Sequence, residues 1–426
     1  MVRSSNRMGK RVRWIGVNLS RFLLSATFIF SGIVKLIDPV GTQYKIEDYA
    51  QAFGLSSLAL GYVPLLLSVA LGLMEFDLGI NFFFGLHRKR TSRVALLFFA
   101  VFTPLTLYIA LQNPVSDCGC FGDALQLTNW QTFYKNVVLL LAAVVVAYYY
   151  RFMTRFILER NQWIISLYSK VFGFVFVCIN LYGLPVLDFR PYHIGADLQQ
   201  KMGLNAEPKT IFLMEKDGVQ KEFALEDYPD STWNFVSSRV EDLGIPEITD
   251  FQMLRVEDGQ DITDSFLRAD TYKFLLVAPR LEQADDGVMD RIAEVYDYSL
   301  VHGYPFYCLT ASGDSVINRW TEITGAEYAY CRADDVVLKT MIRSNPGLML
   351  LHGGVVINKW PNTKLPAPEE LNAPMEQLRF SQGTIGNKTM RLLRIFLWYV
   401  LPLLAVTIAD RLWLGKKIKE LYKHRV

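Results

Sequence analysis

The stretch Asp117-Cys118-Gly119-Cys120-Phe121-Gly122-Asp123 carries the most specific chemical signal in this chain. Two thiols one residue apart can bring their sulfurs together, and the intervening glycine lets the backbone take the tight turn this needs. In an oxidising compartment such a pair is a disulfide or a redox couple. A ring closed by so short a loop is strained, which makes it a better oxidant than a structural bridge. Three chemistries stay open: thiol–disulfide exchange, a static bridge that pins the loop, and capture of a soft metal such as Cu(I).

The other cysteines lie far along the chain. Cys308 ends an expected core strand and Cys331 ends the next extended piece. Their separation of 23 positions allows a structural disulfide or an accessory redox pair across neighbouring elements, with two buried free thiols as the plain alternative. Cys178 sits in an apolar run and reads as packing. His87, His193, His302, His352 and His424 show no metal-ligand spacing, so no metal is expected. No phosphate-binding loop, dinucleotide fingerprint or nucleophile elbow occurs. The net charge of +2 averages basic membrane edges with a slightly acidic domain, so nucleic acid is not an expected partner.

What must hold Cys118 and Cys120 is a membrane. The chain is 51% hydrophobic and 20% charged, too apolar for a soluble protein, and the excess lies before residue 190 and after 390. A bilayer core of about 30 Å needs roughly 20 apolar residues per helix. Six segments qualify: Trp14 to Ile37, Ala59 to Leu86, Val94 to Leu111, Phe133 to Tyr150, Ile164 to Leu187 and Leu392 to Ala409. The third and fourth are near the minimum length and could form a tight hairpin rather than two full spans. Arg21, Lys35, Glu75 and Asp77 fall within these runs, where charge is expensive and usually functional or paired. Glu75 is expected to pair with Lys35 or Arg21 inside the bundle, or the charges snorkel to an interface.

Basic residues mark the inner face: Arg3 to Arg13 at the head, Arg88 to Arg93, Arg151 to Arg160, and Lys416 to Arg425 at the tail. The alternate connections, with Glu47 and Asp48 or Asp117 and Asp123, then lie outside together with the domain from 188 to 390. The expected location is a bacterial cytoplasmic (inner) membrane, multi-pass, with both termini cytoplasmic and the domain periplasmic.

From Asp188 the pattern changes to short alternating strands. Hairpins are expected over Thr210 to Leu225 around Asp217-Gly218 and over Phe251 to Phe266 around Asp258-Gly259. Then come strand Tyr272 to Val277, helix Asp286 to Val301, strand Pro305 to Leu309, helix Ser315 to Thr324, extended Tyr328 to Cys331 and helix Val336 to Arg343. Strands Gly347 to Leu351 and Val355 to Trp360 close an α/β layered domain. The expected organisation is a four-helix membrane domain (1–160), a fifth span (161–188), a β-rich connecting region (189–248), an α/β domain (249–362), a Pro-rich linker (363–390), a sixth span (391–410) and a basic tail (411–426).

Ser31-Gly32 before Lys35-Leu36, Glu75 in the second helix and Cys118-Gly119-Cys120-Phe121-Gly122 between the third and fourth resemble the DoxX and MauE families of four-helix membrane proteins, over about the first 150 residues. That resemblance implies thiol redox at the membrane, beside a thioredoxin-like partner that helps disulfides form. The later domain resembles the thioredoxin-like family in its TlpA and peroxiredoxin-like branch: Asp250-Phe251 with Asp258-Gly259, Phe274 to Val277 leading into Ala278-Pro279, and Asn345-Pro346 before Leu348. It implies a cis bond at Pro346. Where that family carries Cys-x-x-Cys, this chain reads Pro279-Arg280-Leu281-Glu282-Gln283, so the thioredoxin reaction cannot occur there. The expected function is a membrane-bound thiol redox or protein-maturation factor with a quinone-like electron acceptor and an extracytoplasmic thiol client. The alternative is a membrane-anchored scaffold whose cysteines are all structural.

Overall fold

The computed structural model describes residues 2–55, 61–115, 119–204, 210–216, 218–224, 229, 232–240, 246–381 and 385–423. The chain divides into two compact units, Met1–Phe189 with Gly386–Val426, and Arg190–Ile385.

The first unit opens with α1 (Val2–Ile37), closed where Asp38-Pro39 breaks the helical run. A second helix, α2 (Pro39–Ala52), starts at once: the Asp38 side chain accepts from the Gly41 N–H at 2.8 Å and proline takes the first helical position. Then follow α3 (Val63–Phe84), α4 (Arg88–Gln112), α5 (Asn129–Tyr148) and α6 (Gln162–Tyr182). Thr128 and Gln131 form a capping box at the start of α5. The third and fourth expected spans are not a shallow hairpin: α4 has 25 residues and α5 has 20. The apolar run understates α4 because Arg88, Lys89, Arg90 and Arg93 occupy its first turns.

α1 and α3 cross with almost no gap. A Cβ on Gly32 would lie 2.5 Å from the Phe76 backbone nitrogen, and one on Gly79 would lie 2.6 Å from that of Ile29. Small residues on both helices allow this approach, the usual device of helix packing in membranes.

In the second unit, after a single turn α7 (Leu198–Lys201), β1 (Thr210–Lys216) and β2 (Val219–Ala224) form the expected hairpin, and β3 (Asn234–Val240) adds to the other edge of β1. The main sheet comprises β4 (Leu254–Arg255), β5 (Tyr272–Val277), β6 (Phe306–Thr310), β7 (Ala329–Arg332), β8 (Gly347–His352) and β9 (Val355–Pro361), in the order β4-β7-β6-β5-β8-β9. β5, β6 and β7 run parallel, while β8 and β9 are antiparallel additions. Helices α8 (Thr263–Arg268), α9 (Met289–His302), α10 (Asp314–Thr324) and α11 (Asp335–Met341) complete the α/β architecture.

The expected hairpin around Asp258-Gly259 forms but is shorter than Phe251 to Phe266. Leu254 bridges Asp261, the Arg255 N–H donates to the Gln260 carbonyl at 2.9 Å and the Ile262 N–H to the Met253 carbonyl at 3.0 Å, and from Thr263 the second arm is α8. Asp261 accepts from the Thr263 N–H at 2.9 Å and so turns the chain into a helix after Gly259.

Of the readings left open for Cys308 and Cys331, the structure has two buried free thiols and not a bonded pair. Register places Cys308 opposite Tyr330 and Cys331 opposite Leu309. Side chains alternate along a strand, so the two thiols point to opposite faces of the sheet. Cys308 joins the core formed with α9 and α10, Cys331 does not, and both are free and wholly buried. Desolvation raises both pKa values, that of Cys331 to about 12, so neither supplies a thiolate near neutrality. In the folded protein both should resist maleimide and react only after denaturation, which mass spectrometry of labelled peptides will read.

Lys273, wholly buried on β5, donates to the carbonyls of Phe266 and, at 3.0 Å, Gly353. Burial pushes its amine down to about 8 from 10.5, partly offset by Asp270. Between those values the unfolded chain keeps a proton that the folded chain has lost, so this residue makes stability rise with pH through that window. The urea midpoint of the full chain, followed by tryptophan emission, should therefore climb more over this range in the native sequence than in Lys273→Met.

The last helix, α12 (Ile385–Lys423), returns to the first unit. Its Asp410 accepts from the Asn161 amide at 2.6 Å and the Leu158 N–H at 3.1 Å, and its Tyr399 hydroxyl meets Ser169 at 2.9 Å. Among the described residues six helices are long and apolar enough to cross a membrane: Gly9–Ile37, Val63–Phe84, Arg88–Gln112, Asn129–Tyr148, Glu159–Tyr182 and Thr389–Gly415.

Candidate functional site in the helical bundle

Ser31 and Lys35 stand one turn apart on α1, and the close α1–α3 crossing brings Glu75 to them. The Lys35 ammonium donates to Glu75 Oε2 at 2.8 Å, to Ser31 Oγ at 2.7 Å and to the Cys120 carbonyl at 2.8 Å. These three bonds use every N–H an ammonium has. The Ser31 hydroxyl also donates to the Cys120 carbonyl, at 2.7 Å. Both charged side chains are only 5% exposed, so the pair is a buried one whose geometry must be good to offset its desolvation.

The loop that carries Cys120 is thus fastened through a backbone carbonyl. Gly119 is in the left-handed region (φ +63), and a Cβ there would press on the Lys45 side chain at 3.0 Å. Phe121 packs edge-on against Phe30 with centroids 5.1 Å apart, and Lys135 Nζ lies 4.2 Å from the Phe121 ring centre. Gly119→Ala should cost about 1–3 kcal/mol from backbone strain alone. A lowered thermal midpoint together with faster alkylation of Cys120 checks this.

Cys120 is half-buried and lines a cavity of about 190 Å³ inside the bundle. Aromatic residues of α1, α2 and α4 wall it, among them Phe28, Tyr49, Phe99 and Phe102, with Thr106 and Asn136 as polar points. The Asn136 amide donates to Thr106 Oγ1 at 3.2 Å. The Lys35–Glu75 pair borders the same space.

The structure therefore brings Lys35, Glu75 and Cys120 together. Cys118 lies outside the described residues. Arg21 is elsewhere: it donates to the Thr154 carbonyl and lies over the rings of Phe22 and Phe156, roughly 20 Å along α1 from Lys35. Asp77 accepts from Asn81 at 2.8 Å and faces Lys170 at 3.8 Å, also apart from Lys35. In the second unit the Asn345–Pro346 bond is cis. Beside it the Asn345 amide donates to the Arg280 carbonyl at 2.8 Å, and Ser312 donates to Glu282 at 2.7 Å. No cysteine lies in that turn. Among the described residues no group of His, Cys, Asp and Glu is arranged to hold a metal.

Sequence reasoning missed α2 and with it Lys45 and Tyr49. The signal was present in Asp38-Pro39 as a helix start and Gly54, at φ +69, just past its end. Asn136 and Thr106 gave no such signal, being ordinary polar residues in apolar runs.

Bundle and sheet together define a multi-pass membrane protein that carries an α/β domain. Within its N-terminal membrane region, residues 13–149 match the family described as methylamine utilisation protein MauE. Residues 208–241, which contain β1 to β3, match a domain of unknown function (DUF8463). No curated protein and no solved structure is significantly similar to the chain.

Proposed function

We propose that this protein is a membrane-bound thiol–disulfide redox or protein-maturation factor, acting through Cys118 and Cys120 on a client outside the cytoplasmic membrane. The observation that carries the reading is the knot at Cys120. A buried ion pair is costly in a membrane, and here its ammonium and a neighbouring hydroxyl both hold the carbonyl of a cysteine. In the step we assign, the Cys118–Cys120 disulfide takes two electrons and two protons from a client dithiol. The client leaves with a disulfide, and the pair becomes two thiols.

The α/β domain supports a client-binding role. Parallel β5 and β6 joined through α9, with antiparallel β8 and β9 following the cis Asn345–Pro346, fit a thioredoxin-like domain. Its usual thiol position holds Pro279-Arg280-Leu281-Glu282-Gln283, and Cys308 and Cys331 are buried on opposite faces, so the domain recruits rather than oxidises. The reading takes the membrane setting from the MauE family and leaves methylamine aside.

Trapping thiols in whole cells at graded redox poise tests it. The wild type should show a Cys118/Cys120 pair that cycles, and Cys118→Ser should abolish the cycling and change the mixed disulfides formed with clients. A pair that stays in one state at every poise, with no client adduct, overturns the reading in favour of a scaffold.

A further inference from the structure

We infer that the cavity beside Cys120 binds the ring of a quinone, which reoxidises the cysteine pair; this rests on the redox reading above. Size comes first. An apolar cavity of roughly 150 Å³ already admits benzene, and this one measures about 190 Å³, enough for one substituted six-membered ring and not for a bulky cofactor. Its walls come second. Phe28, Phe99, Phe102 and Tyr49 present aromatic surface, against which a planar ring stacks with a gain beyond simple burial.

The polar points come third, and they distinguish a quinone from a lipid chain. An acyl chain has no use for hydrogen-bond donors, whereas a quinone carries two carbonyl oxygens. The Asn136 amide spends one N–H on Thr106 and carries a second, and the Lys135 ammonium lines the same space. Lys35 is not among these donors, because its three N–H bonds are committed to Glu75, Ser31 and Cys120. Cys120 itself lines the cavity, so a bound ring sits against the residue it must oxidise. The step balances: two thiols lose two electrons and two protons and form one S–S bond, and the quinone's two carbonyls become the two hydroxyls of a quinol.

The test uses the full chain in lipid nanodiscs with an azido derivative of a short-chain ubiquinone, followed by mass spectrometry of the adducts. Adducts should map to α2, α4 and α5 around the cavity, and excess ubiquinone-1 should suppress them. Adducts confined to lipid-facing positions such as Leu97 or Val138, or displacement by oleic acid as readily as by ubiquinone-1, would overturn the inference. Cavity-filling Leu139→Trp should weaken ubiquinone-1 binding by about tenfold or more, with Asn136→Ala as a gentler second variant; unchanged binding in both counts against the cavity. Cys118→Ser/Cys120→Ser should bind ubiquinone-1 but not reduce it. Quinone bound yet never reduced by the reduced wild type sinks the redox reading and leaves the cavity. A pair that cycles with clients while no quinone binds sinks the cavity alone.

Discussion

Glu75→Leu should lower the stability of the membrane bundle by about 3–5 kcal/mol, the cost of leaving a buried charge without its partner. Lys35 cannot escape to water by snorkelling, since its side chain is 5% exposed and its nitrogen is bound on three sides. Removing the carboxylate leaves an ammonium facing one hydroxyl and one carbonyl in a low-dielectric interior. Thermal unfolding in nanodiscs should show a large drop in midpoint, and alkylation of Cys120 should accelerate as the loop loosens. Lys35→Met/Glu75→Leu separates the two effects. Replacing both charges by apolar groups of similar volume is often neutral or stabilising, so its midpoint should recover. Cys120 should stay more reactive than in the wild type, because only Ser31 still holds its carbonyl. Recovery of both quantities in the double variant would mean that the ion pair stabilises the bundle without positioning the loop.

The parts of this protein that sequence made legible are those written in local patterns. Apolar runs gave the spans, and the alternation from Tyr272 to Trp360 gave the order of strands and helices in the α/β sheet. The Lys35–Glu75 contact was legible as one of two choices, because charge at membrane depth demands a partner. What decided for Lys35 over Arg21 was the depth of the α1–α3 crossing, which follows from backbone contact and not from residue type.

Register was the main loss. The alternation along β6 and along β7 says which residues share a face within each strand, but only the pairing of Cys308 with Tyr330 puts Cys331 on the other side. A slip of one residue would have placed both thiols on the same face. The cavity was illegible for a related reason. Its walls come from α1, α2, α3, α4 and α5, and apart from Lys35, Glu75 and Cys120 the residues that line it are unremarkable in sequence.

Gly32→Val should prove as damaging as the loss of Glu75, for a reason that involves no charge. The nearest atoms to a Cβ at Gly32 are the Phe76 nitrogen at 2.5 Å and its Cα at 2.8 Å. Both belong to the backbone of a helix, so no rotamer change relieves the clash and α1 and α3 must separate. Overpacking of this kind costs about 1–3 kcal/mol and occasionally more. Here the separation also stretches the Lys35–Glu75 bond one turn away and draws Ser31 from the Cys120 carbonyl. Gly16→Ala is the matching control, since a Cβ there meets nothing within 4 Å. Alanine favours helix over glycine by about 1 kcal/mol in a helix interior, so that variant should be neutral or slightly stabilised. The two variants should diverge in thermal midpoint and in Cys120 reactivity, with Gly32→Val alone losing the protected thiol. If Gly32→Val kept the wild-type midpoint with Cys120 still shielded, the crossing would not be what aligns the ion pair with the cysteine loop. The loop would then owe its placement to Phe121 packing on Phe30 and Lys135, and the link between buried charge and thiol would have to be given up.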